Sequence, residues 1–177
     1  MSDMLRMSGS LFNIPVISLR LGQPIATAQE PIINPHNLKI VGWWCKDSEN
    51  GSSEVLLSDD VREILAQGIA VNDESALSSP EDLVRHKEIL DAHFKLVDKL
   101  VKTKHQKIGK VHDFSYNDGM FVQKLYVARS LIKVFTSEDT AIVDRTQIIE
   151  ITDTYILVRD TEIKEGEEEM AGAAVPA

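Results

Sequence analysis

The side chains best suited to chemistry are five histidines, His36, His86, His93, His105 and His112, and one cysteine, Cys45. Metal ligands come in tight clusters, such as two histidines one helical turn apart or a pair of cysteines. No two of these histidines stand four apart, and Cys45 has no second cysteine for a metal site or an intrachain disulfide. His86 and His93 could share a helix face, where solvated polar residues are the plain expectation. His112 and Asp113 are neighbours in a stretch that reads as a strand, so their side chains are expected on opposite faces and not as an acid–base pair. No serine sits in a Gly-x-Ser-x-Gly turn, and no glycine-rich phosphate loop occurs. Cys45 lies in an apolar strand and is expected to be buried and inert. The acidic pairs Asp59-Asp60 and Glu138-Asp139 fall in turn-like contexts that solvation and capping explain. No catalytic, cofactor-binding or metal-ligating residue is therefore assigned, and neither an enzyme nor a small-molecule substrate is expected.

The remaining chemistry is charge. Lys95, Lys99, Lys102, Lys104, Lys107 and Lys110 form a local basic cluster. It could meet an RNA backbone or an acidic partner, while a solvated face that balances the acids elsewhere is the plainer reading. No aromatic alternates with these lysines, as a stacking platform for bases would need. The net charge is −9, with the acidic surplus in residues 1–78 and 160–177. Such a chain repels phosphate at long range, so nucleic acid is not the favoured partner. No run approaches the roughly 18 to 20 apolar residues of a membrane span. The opening residues MSDMLRMSGSLFNIPV lack a long apolar stretch and a cleavage site, so no signal peptide is expected. A cytoplasmic location fits these features.

The elements that must position these groups are mostly strands. Gln106–Gly119, QKIGKVHDFSYNDG, reads as a strand over 107–116 and a hairpin turn at Asn117-Asp118-Gly119. Further strands are expected over 11–21, with Pro15 making it an edge strand or marking its start, and over 25–33, broken at Pro31. Others fall at 38–45, 55–57, 69–71, 96–102, 120–128, 131–135, 140–143 and 154–159. Asp47–Ser53 is a polar turn, Asp59–Ala66 a helical turn and residues 1–9 a loose start. Ser79-Pro80-Glu81-Asp82 carries a cap, a proline and acids suited to a helix start. Leu83, Leu90 and Val97 recur every seven residues, and the helix is ended near His93. The tail after Asp160 is acidic and lacks a core pattern, so disorder is expected there.

The halves repeat. Ile14, Ile17 and Ile25 lie 83 residues before Val97, Leu100 and Ile108, and Leu38 lies 83 before Phe121. Val41-Trp43-Cys45 aligns with Gln123-Leu125-Val127 as the inward face of a strand. Gly68–Asp73 lies 87 before Tyr155–Asp160. Closing each half into a small barrel removes exposed strand edges. Leu100-Val101, Lys107-Ile-Gly-Lys-Val111 with Asp113, and Leu125-x-Val127 resemble the PRC-barrel domain, a small β-barrel of the photosynthetic reaction centre H subunit and of the ribosome maturation factor. The whole resembles a bacterial tandem PRC-barrel protein, although Ala26 and Thr27 replace the family's glycine and lysine in the first half. The resemblance brings no catalytic residues and implies an adaptor or assembly role.

The expectation is thus an all-β protein with minor α content: two tandem PRC-like barrels, residues 9–77 and 94–160, a linker helix over 79–93, and an acidic disordered tail over 161–177. Its function is a non-catalytic protein-interaction module with a protein partner or a second copy. An RNA-linked or ribosome-assembly role is the alternative, again by resemblance. Alternation along the strand puts Trp43 inside and Trp44 outside, with Tyr126 as the counterpart of Trp44. Trp44 and Tyr126 are the candidate partner-binding residues, because Trp and Tyr dominate interface energetics; cover by a helix or loop is the rival reading for Trp44.

Overall fold

A computed structural model describes residues 4–129 and 140–160, together with the backbone of Lys164–Glu165. The expected strand over 131–135 and nearly all of the 161–177 tail lie outside the described residues. The fold is mostly β, in two curled sheets. The chain divides into a first unit, Ser8–Phe94, and a second unit that runs from Lys95 onward and includes Met1–Met7.

In the first unit the strands are β2 (Ile14–Ser18), β3 (Gln23–Ile33), β4 (Ile40–Asp47), β5 (Ser53–Leu57), β6 (Val61–Leu65), β7 (Gly68–Val71) and β8 (Leu77–Ser78). Their spatial order is β6-β7-β2-β3-β4-β5-β8. In the second unit β9 (Leu100–Lys102), β10 (Lys107–Tyr116), β11 (Val122–Ala128), β12 (Thr140–Asp144), β13 (Ile148–Ile151), β14 (Tyr155–Val158) and β15 (Lys164–Glu165) take the order β13-β14-β9-β10-β11-β12-β15. The two orders are the same path. Every pairing is antiparallel except β2 with β7 and, correspondingly, β9 with β14.

The repeat extends to the irregularities. Bulges fall at Ile25 and Ile108, at Gln29 and His112, at Val41 and Gln123, and at Arg62 and Ile149, each pair occupying one place in the two ladders. Left-handed residues repeat too: Asn13 and Asp98 before the first strand of each unit, and Leu38 and Met120 in the following hairpin. A side chain with positive φ is uncommon. Two such matches, with four matched bulges, mark a duplicated fold.

The registers correct three alignments and the elements correct several boundaries. Val16 and Val101 are equivalent, since each is buried and faces the residue after a bulge, so β2 aligns with β9 at an offset of 85 and not 83. Leu38 matches Met120 and not Phe121. Val41, as a bulge residue, does not share the inward face of Trp43 and Cys45; it packs with Trp44 on the other side. β2 is an interior strand, and Pro15 is accommodated because pairing to β7 begins at Val16. Pro31 sits inside an unbroken β3, past the end of its pairing with β2 at Ala28. Only Ser58–Asp60 turns helically where 59–66 was expected to, and the rest is β6. β13 was not foreseen. Residues 6–7 are not loose: as β1 (Arg6–Met7) they pair with Tyr116 and Ser115 of β10, and Arg6 reaches Asp118 at 3.6 Å.

Residues 79–93 form two short 3-10 turns, Pro80–Asp82 and Val84–His86, and then helix α1 (Lys87–Ala92). Leu83 breaks the run with ψ at 58°, and left-handed His93 ends it. Leu83 and Leu90 nevertheless meet at one place, a cluster with Ile32 and Val55 that Ile89, Val41, Trp44 and Leu57 border. Their seven-residue spacing reflects a shared seat on the first sheet without a continuous helix between them.

Candidate partner-binding surfaces

Trp43 is fully buried, while Trp44, on the opposite face of β4, is half-buried. Trp44 lies between Glu30 of β3 and Val55 of β5, and the His93 ring stacks on it at 5.5 Å with an 18° interplanar angle. With Leu90 beside it, this outer sheet face is covered by the chain's own residues 83–93. Tyr126 holds the same register position in the second unit, between Asp113 of β10 and Ile142 of β12, and is half-buried. Where Ile32 and Val55 anchor Leu90 in the first unit, the second carries Ser115 and Ile142. Ser115 Oγ is buried and has no hydrogen-bond partner among the described residues.

The lysine cluster divides on inspection. Lys102 of β9 and Lys107 of β10 are direct cross-strand partners, so their side chains leave the same face. Lys110 follows on that face opposite Leu100, and Lys104 lies in the connecting turn. That turn is built by Thr103, whose Oγ1 accepts from the backbone N–H groups of His105 and Gln106, both at 3.2 Å. Lys99 is committed elsewhere: its Nζ donates to the carbonyl oxygens of Asp153 at 2.6 Å and Thr152 at 3.3 Å. Partial burial lowers its pKa below the ordinary lysine value. Lys95 precedes the strand and is exposed. The Lys102 ammonium rests 3.8 Å from the centre of the Tyr155 ring, an aromatic that sequence reasoning did not place here because β14 joins β9 only through the parallel pairing.

The histidines are dispersed. His36 faces Glu88 at 3.7 Å and His105 faces Asp160 at 3.4 Å, both on the surface. His112 is the extra residue of a bulge, so simple alternation does not relate it to Asp113; Asp113 instead accepts the backbone N–H of Phe114 at 2.8 Å. Among the described residues no group of three or more His, Cys, Asp or Glu is placed to hold a metal ion. Cys45 is buried, and burial pushes its thiol up to about 12. No helix among the described residues is long and apolar enough to cross a membrane.

The equivalent hairpin of the first unit differs in chemistry. Its tip presents Leu19 and Leu21, both exposed, around Arg20, which pairs with Glu74 at 2.7 Å. Backbone bonds from Leu19 to Val71 and from Arg20 to Asn72 hold the tip. No sequence signal singled it out, because two leucines flanking an arginine read equally well as strand. Compared with known proteins, the chain matches no family model and no curated protein.

Proposed function

We propose that this chain is a non-catalytic protein-interaction module made of two PRC-type barrels and acting in the cytoplasm. The observation that supports the reading is the seat of Leu90 on Ile32 and Val55, with His93 stacked on Trp44. There the outer face of a curled sheet receives an apolar ridge through a large aromatic and two β-branched side chains, the kind of surface that anchors partners. The duplicate carries Tyr126 and Ile142 at the same register positions. Its Tyr126 face is where a protein partner or a second copy is expected to bind, with Trp44 already engaged within its own unit.

The test is affinity capture from the native cell with mass spectrometry of the retained proteins, and oligomer mass in solution, for the parent, Tyr126→Ala and Trp44→Ala. Loss of a specific retained protein or of an oligomer in Tyr126→Ala, with the fold intact, is the expected result. If both variants fold and retain the same proteins as the parent, this face is not the functional one. Turnover of a small molecule by the purified chain would count against a non-catalytic role.

A further inference from the structure

We propose that the lysine face of the β9–β10 hairpin, Lys102, Lys104, Lys107 and Lys110, binds an acidic polypeptide segment of a partner protein. The proposal rests on the interaction-module reading and names the chemistry of one partner. Duplication supplies the first argument. The three register-matched positions in the first unit carry Ile17 for Lys102, Pro24 for Lys107 and Thr27 for Lys110. The fold therefore does not require positive charge at any of them.

The second argument is electrostatic. Lys102 and Lys107 stand directly opposite each other, an arrangement that like charges disfavour. Lys102 leans away onto Tyr155. Among the described residues Lys104, Lys107 and Lys110 have no carboxylate within ion-pair distance, in a chain with 28 acidic residues against 19 basic ones. An anion laid across this face would relieve the repulsion. Along β10, Lys107 and Lys110 are separated by roughly 10 Å, and β9 adds its lysine about 5 Å to the side. An extended segment with carboxylates on alternate residues presents a charge about every 7 Å, which suits such a field.

Three observations favour a polypeptide over RNA. Tyr155, the aromatic beside Lys102, is capped by that lysine's ammonium and so offers no stacking platform. The four cations are lysines, which lack the planar fork by which arginine grips phosphate bidentately. The chain as a whole is acidic, which opposes the approach of a phosphate backbone more than that of a short acidic segment.

Fluorescence anisotropy on the full chain tests this, with a labelled peptide of alternating Glu and Gly as one probe and an oligouridine of equal length as the other. The expected result is peptide binding that weakens with added salt. It should fall by about tenfold or more in Lys104→Glu/Lys107→Glu/Lys110→Glu, since each exposed pair contributes a factor of about two or more. Lys46→Glu, on β4 of the first unit, should bind like the parent. Lys104→Gln/Lys107→Gln/Lys110→Gln serves in place of the reversed-charge chain should that fail to fold. The proposal is overturned by absent peptide binding, by unchanged binding in the triple variant, by an equal loss in Lys46→Glu, or by tighter binding of the oligouridine. If cellular capture retains a specific protein equally well on the parent and the triple variant, this inference fails while the interaction-module reading stands.

Discussion

Leu90→Ala tests whether residues 83–93 belong to the first unit energetically. Leu90 is 4 % exposed and lies against Ile32 and Val55. The substitution removes three carbons, worth about 2.4 kcal/mol at roughly 0.8 kcal/mol per methylene. A rigid void would add to that and carry the loss toward about 5 kcal/mol. The surroundings are not rigid on all sides: Leu57, Ile89 and Trp44 are only partly buried and can close inward. The expected destabilisation is therefore about 2 to 3 kcal/mol. Urea unfolding followed by tryptophan fluorescence is the suitable assay, because Trp43 and Trp44 both lie in the first unit, one in its core and one beside Leu90. A loss below about 0.5 kcal/mol, the range of surface substitutions, would refute the reasoning.

Gly109→Ala should destabilise the second unit by about 1 to 3 kcal/mol, because the new Cβ would run into the backbone carbonyl of Ala128, whereas Ala26→Gly at the equivalent place should cost about 1 kcal/mol or less; equal midpoints for Gly109→Ala and parent in circular-dichroism melts would contradict this. Asp144→Ala removes a capping box in which Asp144 accepts from Thr146 at 3.0 Å and Gln147 accepts from the Asp144 N–H at 2.8 Å, and should lower stability by about 1 kcal/mol in the same melts. Cys45 should resist thiol reagents near pH 8 until urea unfolds the chain, and labelling at the native rate of a free thiol would show that it is accessible. Its folded pKa lies above the ordinary value of 9.0, so the native state holds the proton more tightly. That contribution is complete below pH 9 and is lost as pH rises from 9 toward 12, so Cys45→Ala should show a shallower alkaline decline in melting temperature than the parent.

The long strand β10 could be read to its last residue because a hairpin signal ended it on one side and alternation ran through it. The opposite placement of Trp43 and Trp44 was equally accessible, since neighbours on a regular strand must part. The offset between β2 and β9 was not. A slip of two residues keeps every side chain on its face, so alternation is blind to it, and only the bulges at Ile25 and Ile108 set the register. Val41 was misplaced for the same reason, because a bulge shifts the phase of everything before it. β13 and β6 are short edge strands whose pairing partners follow a turn, and Asp59-Asp60 ahead of β6 imitated a helix cap. The lysine face was visible as composition. Its division into Lys102, Lys104, Lys107 and Lys110 on one hairpin and Lys99 on the turn carbonyls depends on β14 lying beside β9, which no local signal carries.

The pairing of β1 with β10 bears on how the chain is made. Arg6 and Met7 leave the ribosome before Ser115 and Tyr116, which they need and which follow roughly a hundred residues later. At about 5 to 20 residues per second that is a delay on the order of 5 to 20 seconds. All seven strands of the first sheet emerge within the delay, so the first unit can complete itself while β1 still lacks its partner. The first two-residue strand of the chain is thus among the last to be placed. A cut at Phe94–Lys95 would sever one of the two covalent passages between units and leave the other, at Met7–Ser8, whole.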